Sequence, residues 1–142
     1  MKHNPKDPLQ KDRDRFILSK GHGVLPFFAA LYFTGFIDDK KMETFKKNES
    51  DLISHPVMNI ELGIESSNGS LGHGLSMSVG IAIASKKKSR ENKVFVVMGD
   101  GECNEGSVWE AAMSAAHFKL DNLVAILDYN KLQSDGQSEL VM

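Results

Sequence analysis

Two short apolar runs bracket a helix-like segment between residues 94 and 127, and this arrangement constrains the chain more than any other feature. Val94-Phe95-Val96-Val97-Met98 is too short for a helix and rich in β-branched residues, as expected of a strand covered on both faces. Leu123-Val124-Ala125-Ile126-Leu127 has the same character. With a helix from about Glu105 to Phe118 between them, the stretch reads as a strand, crossover helix, strand unit, which needs about 30 residues or more. Strands joined in this way run parallel.

Parallel neighbours put both carboxyl ends on one edge of the sheet, where open α/β sheets bind ligands. The first run stops at Gly99-Asp100-Gly101 and the second at Asp128-Tyr129-Asn130, so Asp100 and Asn130 are expected side by side. One carboxylate, one amide oxygen and a backbone carbonyl form a hard oxygen set suited to Mg²⁺, an ion that keeps positions open for phosphate oxygens. Glycines on both sides of Asp100 would let a diphosphate approach the backbone amides closely. A structural turn, with Asp100 and Asn130 capping helices, fits the same residues. Geometry alone leaves both readings open.

At 142 residues the chain suits one domain spanning 1–142, with no internal repeat or linker. Its 41% hydrophobic and 25% charged residues are those of an ordinary globular protein, and a net charge of −2 gives no reason to expect nucleic acid. The first fifteen residues lack a signal-peptide core, and no apolar stretch approaches a membrane span, so a cytoplasmic location without membrane association is the expectation. Cys103 is the only cysteine, which excludes an internal disulfide and a thiolate metal cluster.

Arg13-Asp14-Arg15 reads as a solvated or ion-paired surface patch. Phe16 to Ser19 reads as a short buried strand ending at Lys20-Gly21-His22-Gly23, a loop that brings an imidazole close to a ligand or forms a plain turn. A helix opening at Pro26 and ending at Gly35 is apolar nearly all round and should be buried. A second helix, about Lys40 to Lys47, is capped by Asp38 or Asp39. The long stretch from Asn48 to Gly74 has little periodicity and holds His55-Pro56 and the glycines Gly69, Gly72 and Gly74, so it reads as functional backbone rather than a connector. A helix follows from Leu75 to Lys88, with its terminal lysines at the negative pole of the dipole. In the next helix Trp109, Ala112, Ala115 and Ala116 are expected to face the sheet, with His117 partly buried. Glu102 and Glu105 suit the start of that helix electrostatically. A turn is expected at Ser134-Asp135-Gly136.

Taken together, SKGHG at 19–23, ESSNGSLGHGLSMSVGIA at 65–82, MGDGECNEGSVWEAA at 98–112 and LDYNKLQSDG at 127–136 resemble transketolases, most closely the split type in which the diphosphate-binding half is a separate N-terminal subunit. The resemblance covers nearly the whole chain from Arg13 onward. It implies an α/β three-layer sandwich with a mainly parallel sheet, the thiamine diphosphate-binding fold of diphosphate type, incomplete at both ends. It also implies thiamine diphosphate and Mg²⁺ as cofactors. In that pattern Asp100, Asn130 and the carbonyl of Leu132 hold the metal, and Gly101 donates to the diphosphate. His22 stands near the diphosphate and the reacting centre, and His55 orients the sugar. Gly69 and Leu71 meet the aminopyrimidine ring, and Glu105 belongs to the network joining paired active sites. The implied reaction transfers a two-carbon ketol unit from a ketose phosphate to an aldose phosphate, with the cofactor as electron sink.

Two positions depart modestly from the family pattern. His73 stands where many relatives carry glutamine, and Asn68 replaces a common threonine. The resemblance implies that the pyrimidine-binding domain, with the glutamate that activates the cofactor, lies outside these 142 residues. A C-terminal pyrimidine-domain subunit is therefore the expected partner, in a homodimer or heterotetramer, and the chain alone should be inactive. A truncated non-catalytic fragment is the alternative, as is another thiamine diphosphate enzyme such as a dehydrogenase E1 component. A dinucleotide-binding Rossmann domain is disfavoured, because Gly99-x-Gly101-x-x-Asn104 lacks the third glycine and carries an acid in the turn.

Overall fold

The β-branched runs form the sheet in the computed structural model, which describes residues 1–134 and 136–141. Arg15–Leu18 is β1, Val94–Gly99 is β2 and Leu123–Asp128 is β3, in spatial order β1-β2-β3. Both pairings are parallel, with Ile17 opposite Val96 and Gly99 opposite Asp128. Between β1 and β2 run α1 (Val24–Phe33), the single turn α2 (Asp39–Met42) and α3 (His73–Lys87); α4 (Gly106–His117) connects β2 to β3. A small antiparallel pair, β4 (Leu132–Gln133) and β5 (Gly136–Gln137), leads into α5 (Ser138–Val141).

Because successive strand residues point to opposite faces, the sheet feeds two cores. Phe16, Leu18 and Val97 pack with Phe27, Phe28 and Leu31 of α1. Ile17, Val96 and Met98 pack with Leu75 and Val79 of α3 and with Val108 and Ala111 of α4. Helices on both faces of a parallel sheet make the expected three-layer α/β arrangement. Among the described residues no helix is long and apolar enough to cross a membrane.

Several local expectations are corrected. The helix at 40–47 stops at Met42, because beyond it the backbone bonds tighten to i→i−3 and Lys46 takes a positive φ of 57°. Asp38 supplies its cap, accepting from the Lys41 amide at 2.8 Å. On α1, Leu25 and Phe33 are exposed, so only one side of that apolar helix is buried. β3 is covered on neither face along most of its length; Ile126 and Leu127 are 44% and 49% exposed. On α4 the buried face is Val108 and Ala111, while Trp109 and His117 are exposed. The Arg13-Asp14-Arg15 patch is ion-paired, one of its two expected forms, but Arg13 and Asp14 are buried and not on the surface: Arg13 pairs with Glu65, and the Asp14 carboxylate accepts from the Lys2 and Lys93 amides. Of the turn expected at 134–136, Asp135 lies outside the described residues.

Glu102 organises the ligand-facing edge. Its carboxylate, 2% exposed, lies in the 3-10 turn Gly101–Asn104 that follows β2. One oxygen accepts from the Ser19 hydroxyl just past β1 and from the Gly72 amide at the start of α3, at 2.9 Å for the amide. The other accepts from the Gly99 amide at 3.2 Å. A buried charge is tolerated only when its oxygens are satisfied, and three donors from three segments satisfy this one. Glu102→Gln leaves one acceptor oxygen for donors that used two, and turns an amide NH₂ toward a donor. We expect a loss of about 1–3 kcal/mol in stability, measured as a lower denaturant midpoint; an unchanged midpoint would refute this role.

Candidate functional site

The carboxyl ends of β1, β2 and β3 open into one cleft of about 460 Å³. His22, Leu71, Asp100, Gly101, Glu105, Asn130 and Leu132 all line it, together with Lys20 and Gln133. The strand register produces this convergence: Gly99 lies opposite Asp128, and the Asp100 amide donates to the Asp128 carbonyl at 3.3 Å. The turns after β2 and β3 therefore meet, as the parallel reading requires.

Asp100 is prepared for a charged partner. One carboxylate oxygen accepts from the Ser138 hydroxyl at 2.8 Å, while the other, Oδ1, is buried with no hydrogen-bond partner among the described residues. The Ser138 hydrogen bond, helped by the Gly101 and Lys131 amides, holds the carboxyl below the usual carboxylate range although desolvation opposes it. The amide oxygen of Asn130 accepts from the Leu132 amide at 2.8 Å, which fixes its orientation at the cleft. Among the described residues no three His, Cys, Asp or Glu side chains gather into a metal cluster. A cation at Asp100 would thus rely on amide and carbonyl oxygens beside the one carboxylate. This hard donor set fits Mg²⁺, and the orphaned Oδ1 is the atom that such an ion would satisfy.

Glycine is required where the backbone closes on its neighbours. A Cβ at Gly101 would stand 2.9 Å from Cγ of Gln133. Gly72 has φ of 82°, and a Cβ there would stand 2.7 Å from Cβ of Glu105. Both positions demand a residue without a side chain, for close approach and for backbone angle.

His55 and Gly69 do not line the cleft itself. They form its neighbour: the His55 ring lies against Gly21, where a Cβ would be 2.7 Å from Cδ2, and a Cβ at Gly69 would be 3.8 Å from the same atom. His55 therefore sits beside the turn Gly21–Gly23 that presents His22, and both imidazoles are exposed. That turn is 3-10 and runs straight into α1 instead of forming an open loop. The 65–74 segment is anchored to β1 by Asn68, whose side-chain amide donates to the Leu18 carbonyl and whose backbone amide donates to Pro56 at 3.0 Å.

Ser138, Lys20 and the acceptor role of Glu102 were not anticipated from the sequence. Lys20 and Glu102 adjoin the recognised GHG and GDG motifs, so motif proximity was an available signal. Ser138 carries none, because its approach to Asp100 depends on the β4–β5 turn. Cys103 is drawn into the edge as a thiol: burial, then the charges of Glu102 and Asp100, push it up.

The sequence model of the family described as "Transketolase, thiamine diphosphate binding domain" matches residues 1–142. An apulose-4-phosphate transketolase subunit of Actinobacillus succinogenes is 46% identical over 136 residues, covering 96% of this chain and 49% of that protein. The 6-deoxy-6-sulfo-D-fructose transketolase subunit SqwG of a Clostridium species is 42% identical over 139 residues, covering 98% of this chain and 50% of its own. The chain thus spans about half the length of these curated relatives. Among solved structures, the transketolase of Leishmania mexicana superposes with a TM-score of 0.94 at 33% identity, over 100% of this chain and 23% of that one. Sequence motifs, sheet-edge geometry and these likenesses agree that the chain belongs to the transketolase family and carries its thiamine diphosphate-binding domain fold.

Proposed function

We propose that this chain is the diphosphate- and Mg²⁺-binding part of a transketolase that moves a two-carbon ketol unit from a ketose phosphate to an aldose phosphate. The observation that carries the proposal is the buried Oδ1 of Asp100, without a partner among the described residues, in a cleft shared with Asn130 and Leu132. Asp100, Asn130 and the Leu132 carbonyl would hold the metal, and the Gly101 amide would donate to the diphosphate. Thiamine diphosphate, when bound, supplies the nucleophilic carbon and the electron sink for ketol transfer. His22, at the cleft, would hold or move a proton on a substrate hydroxyl, a task suited to an imidazole near neutral pH. His55, beside it, would orient the sugar. Gly69 and Leu71 would meet the aminopyrimidine, and Glu105 would join the network between paired sites.

Both relatives described above carry "subunit" in their names. By analogy we propose a partner that supplies the pyrimidine-binding domain and its activating glutamate, with assembly as a homodimer or heterotetramer acting in the cytoplasm. Those two relatives are named for different sugars.

Calorimetry on the assembled enzyme tests the proposal. Thiamine diphosphate should bind only with Mg²⁺ present, and Asp100→Ala should abolish binding; undiminished affinity in the mutant sinks the metal assignment. Because the Asp100 carboxyl lies below its ordinary value of 3.8, the group remains ionised above that pH and loses its contribution only as pH falls through the depressed value. Cofactor affinity should therefore show no Asp100 titration between about pH 7 and pH 5. His55→Ala should raise KM for the sugar with thiamine diphosphate affinity unchanged, whereas His22→Ala should lower kcat by roughly 10²–10⁴-fold.

A further inference from the structure

The Ser138 hydroxyl donates to Oδ2 of Asp100 at 2.8 Å, across 38 residues of sequence. Ser138 is itself fixed to the segment that leaves β3. Its amide donates to the Lys131 carbonyl at 3.0 Å, and the β4–β5 pair that precedes it sets Leu132 opposite Gln137. The Leu132 amide in turn donates to the side-chain oxygen of Asn130 at 2.8 Å. Asp100, Leu132 and Asn130, the three groups suited to the metal, are thus joined in one run of contacts that passes through Ser138 and Lys131.

An aspartate carboxylate turns readily about its last torsion, so a site that must aim one oxygen at a cation has to hold the other. A serine hydroxyl suits that task. It has one proton to donate and adds no charge, and here it leaves Oδ1 buried with no partner among the described residues. A lysine or arginine in its place would offset the negative charge that a cation needs. Groups that hydrogen-bond a metal ligand from behind fix its orientation and so set the affinity of the site. The same β4–β5 hairpin has a second tether: the Asn104 side-chain amide donates to the Gln133 side-chain oxygen at 2.8 Å and does not involve Asp100. Docking of the hairpin and aiming of the carboxylate are therefore carried by different bonds, and the two can be separated.

We propose that Ser138 is a positioning residue for the metal: its hydroxyl holds Oδ2 of Asp100 so that Oδ1 is presented to the cation, and it ties the strand bearing the Leu132 carbonyl to the same carboxylate. The assignment rests on the Mg²⁺ reading given above.

Calorimetric titration of Mg²⁺ into the assembled enzyme, with thiamine diphosphate present, tests the assignment. Ser138→Ala should raise the Kd for Mg²⁺ by roughly ten- to a hundredfold, the usual cost of removing the partner of a metal ligand. Ser138→Thr keeps the hydroxyl and should recover most of the affinity. Asn104→Ala removes the other tether of the hairpin and should weaken Mg²⁺ binding less than Ser138→Ala does. Wild-type Mg²⁺ affinity in Ser138→Ala overturns the inference. A loss that threonine does not restore, or an equal loss in Asn104→Ala, overturns it as well, since the hydroxyl would then serve only to dock the hairpin. If the wild-type enzyme itself binds no Mg²⁺, the metal reading fails first and takes this assignment with it.

Discussion

A single buried carboxylate fixes how the loops at the carboxyl edge of the sheet sit relative to each other. Glu102 takes donors from the end of β1, the end of β2 and the start of α3. Backbone amides at strand ends and helix starts have no ladder or helical partner of their own, so they must find acceptors or water. By collecting them on one side chain, the fold closes three segments without a regular element between them. The Gly72 amide reaches Glu102 only because its φ of 82° turns it there, and the Gly72 carbonyl then accepts from Ser107 at the start of α4. The cleft walls are thus set by polar contacts, while the two apolar cores hold the strands that carry them.

Asp100 shows the opposite economy. One of its oxygens is satisfied by Ser138, and the other is buried with no partner among the described residues. Leaving a buried polar atom unpaired costs roughly 1–3 kcal/mol, a cost that natural sites tolerate where a ligand recovers it. The contrast between a fully satisfied Glu102 and a half-satisfied Asp100, two residues apart, separates scaffold from binding group more sharply than charge or motif membership does.

The strands and the crossover were legible because their signal is local: β-branched runs of five residues stop at glycine and aspartate, and their parallel pairing follows from connectivity. Asp100 and Asn130 were brought to one edge by the same topological argument, whereas Leu132 came only from the family resemblance. What escaped detection depends on distant sequence. The burial of Arg13 follows from Glu65, some fifty residues away, and Lys20 finds Asp128 across the whole sheet. The helix expected at 40–47 failed because amphipathic spacing over one or two turns cannot outweigh the nucleation cost of a short helix. The face of α4 was read only in part: Ala115 packs against the core, while Trp109, Ala112 and Ala116 are exposed, since alanine and tryptophan carry little indication of which side meets the sheet.

β3 pairs only with β2 among the described residues, and both of its faces are largely open. A strand in that state offers a row of free amides and carbonyls together with Ile126 and Leu127, flanked by an alanine-rich trough at Ala112, Ala115 and Ala116. Such an edge is open to pairing with a further strand or with another extended chain. Solubility of this domain is therefore tied to what lies along β3, and the same strand that delivers Asn130 to the cleft makes the domain dependent on cover for its opposite side.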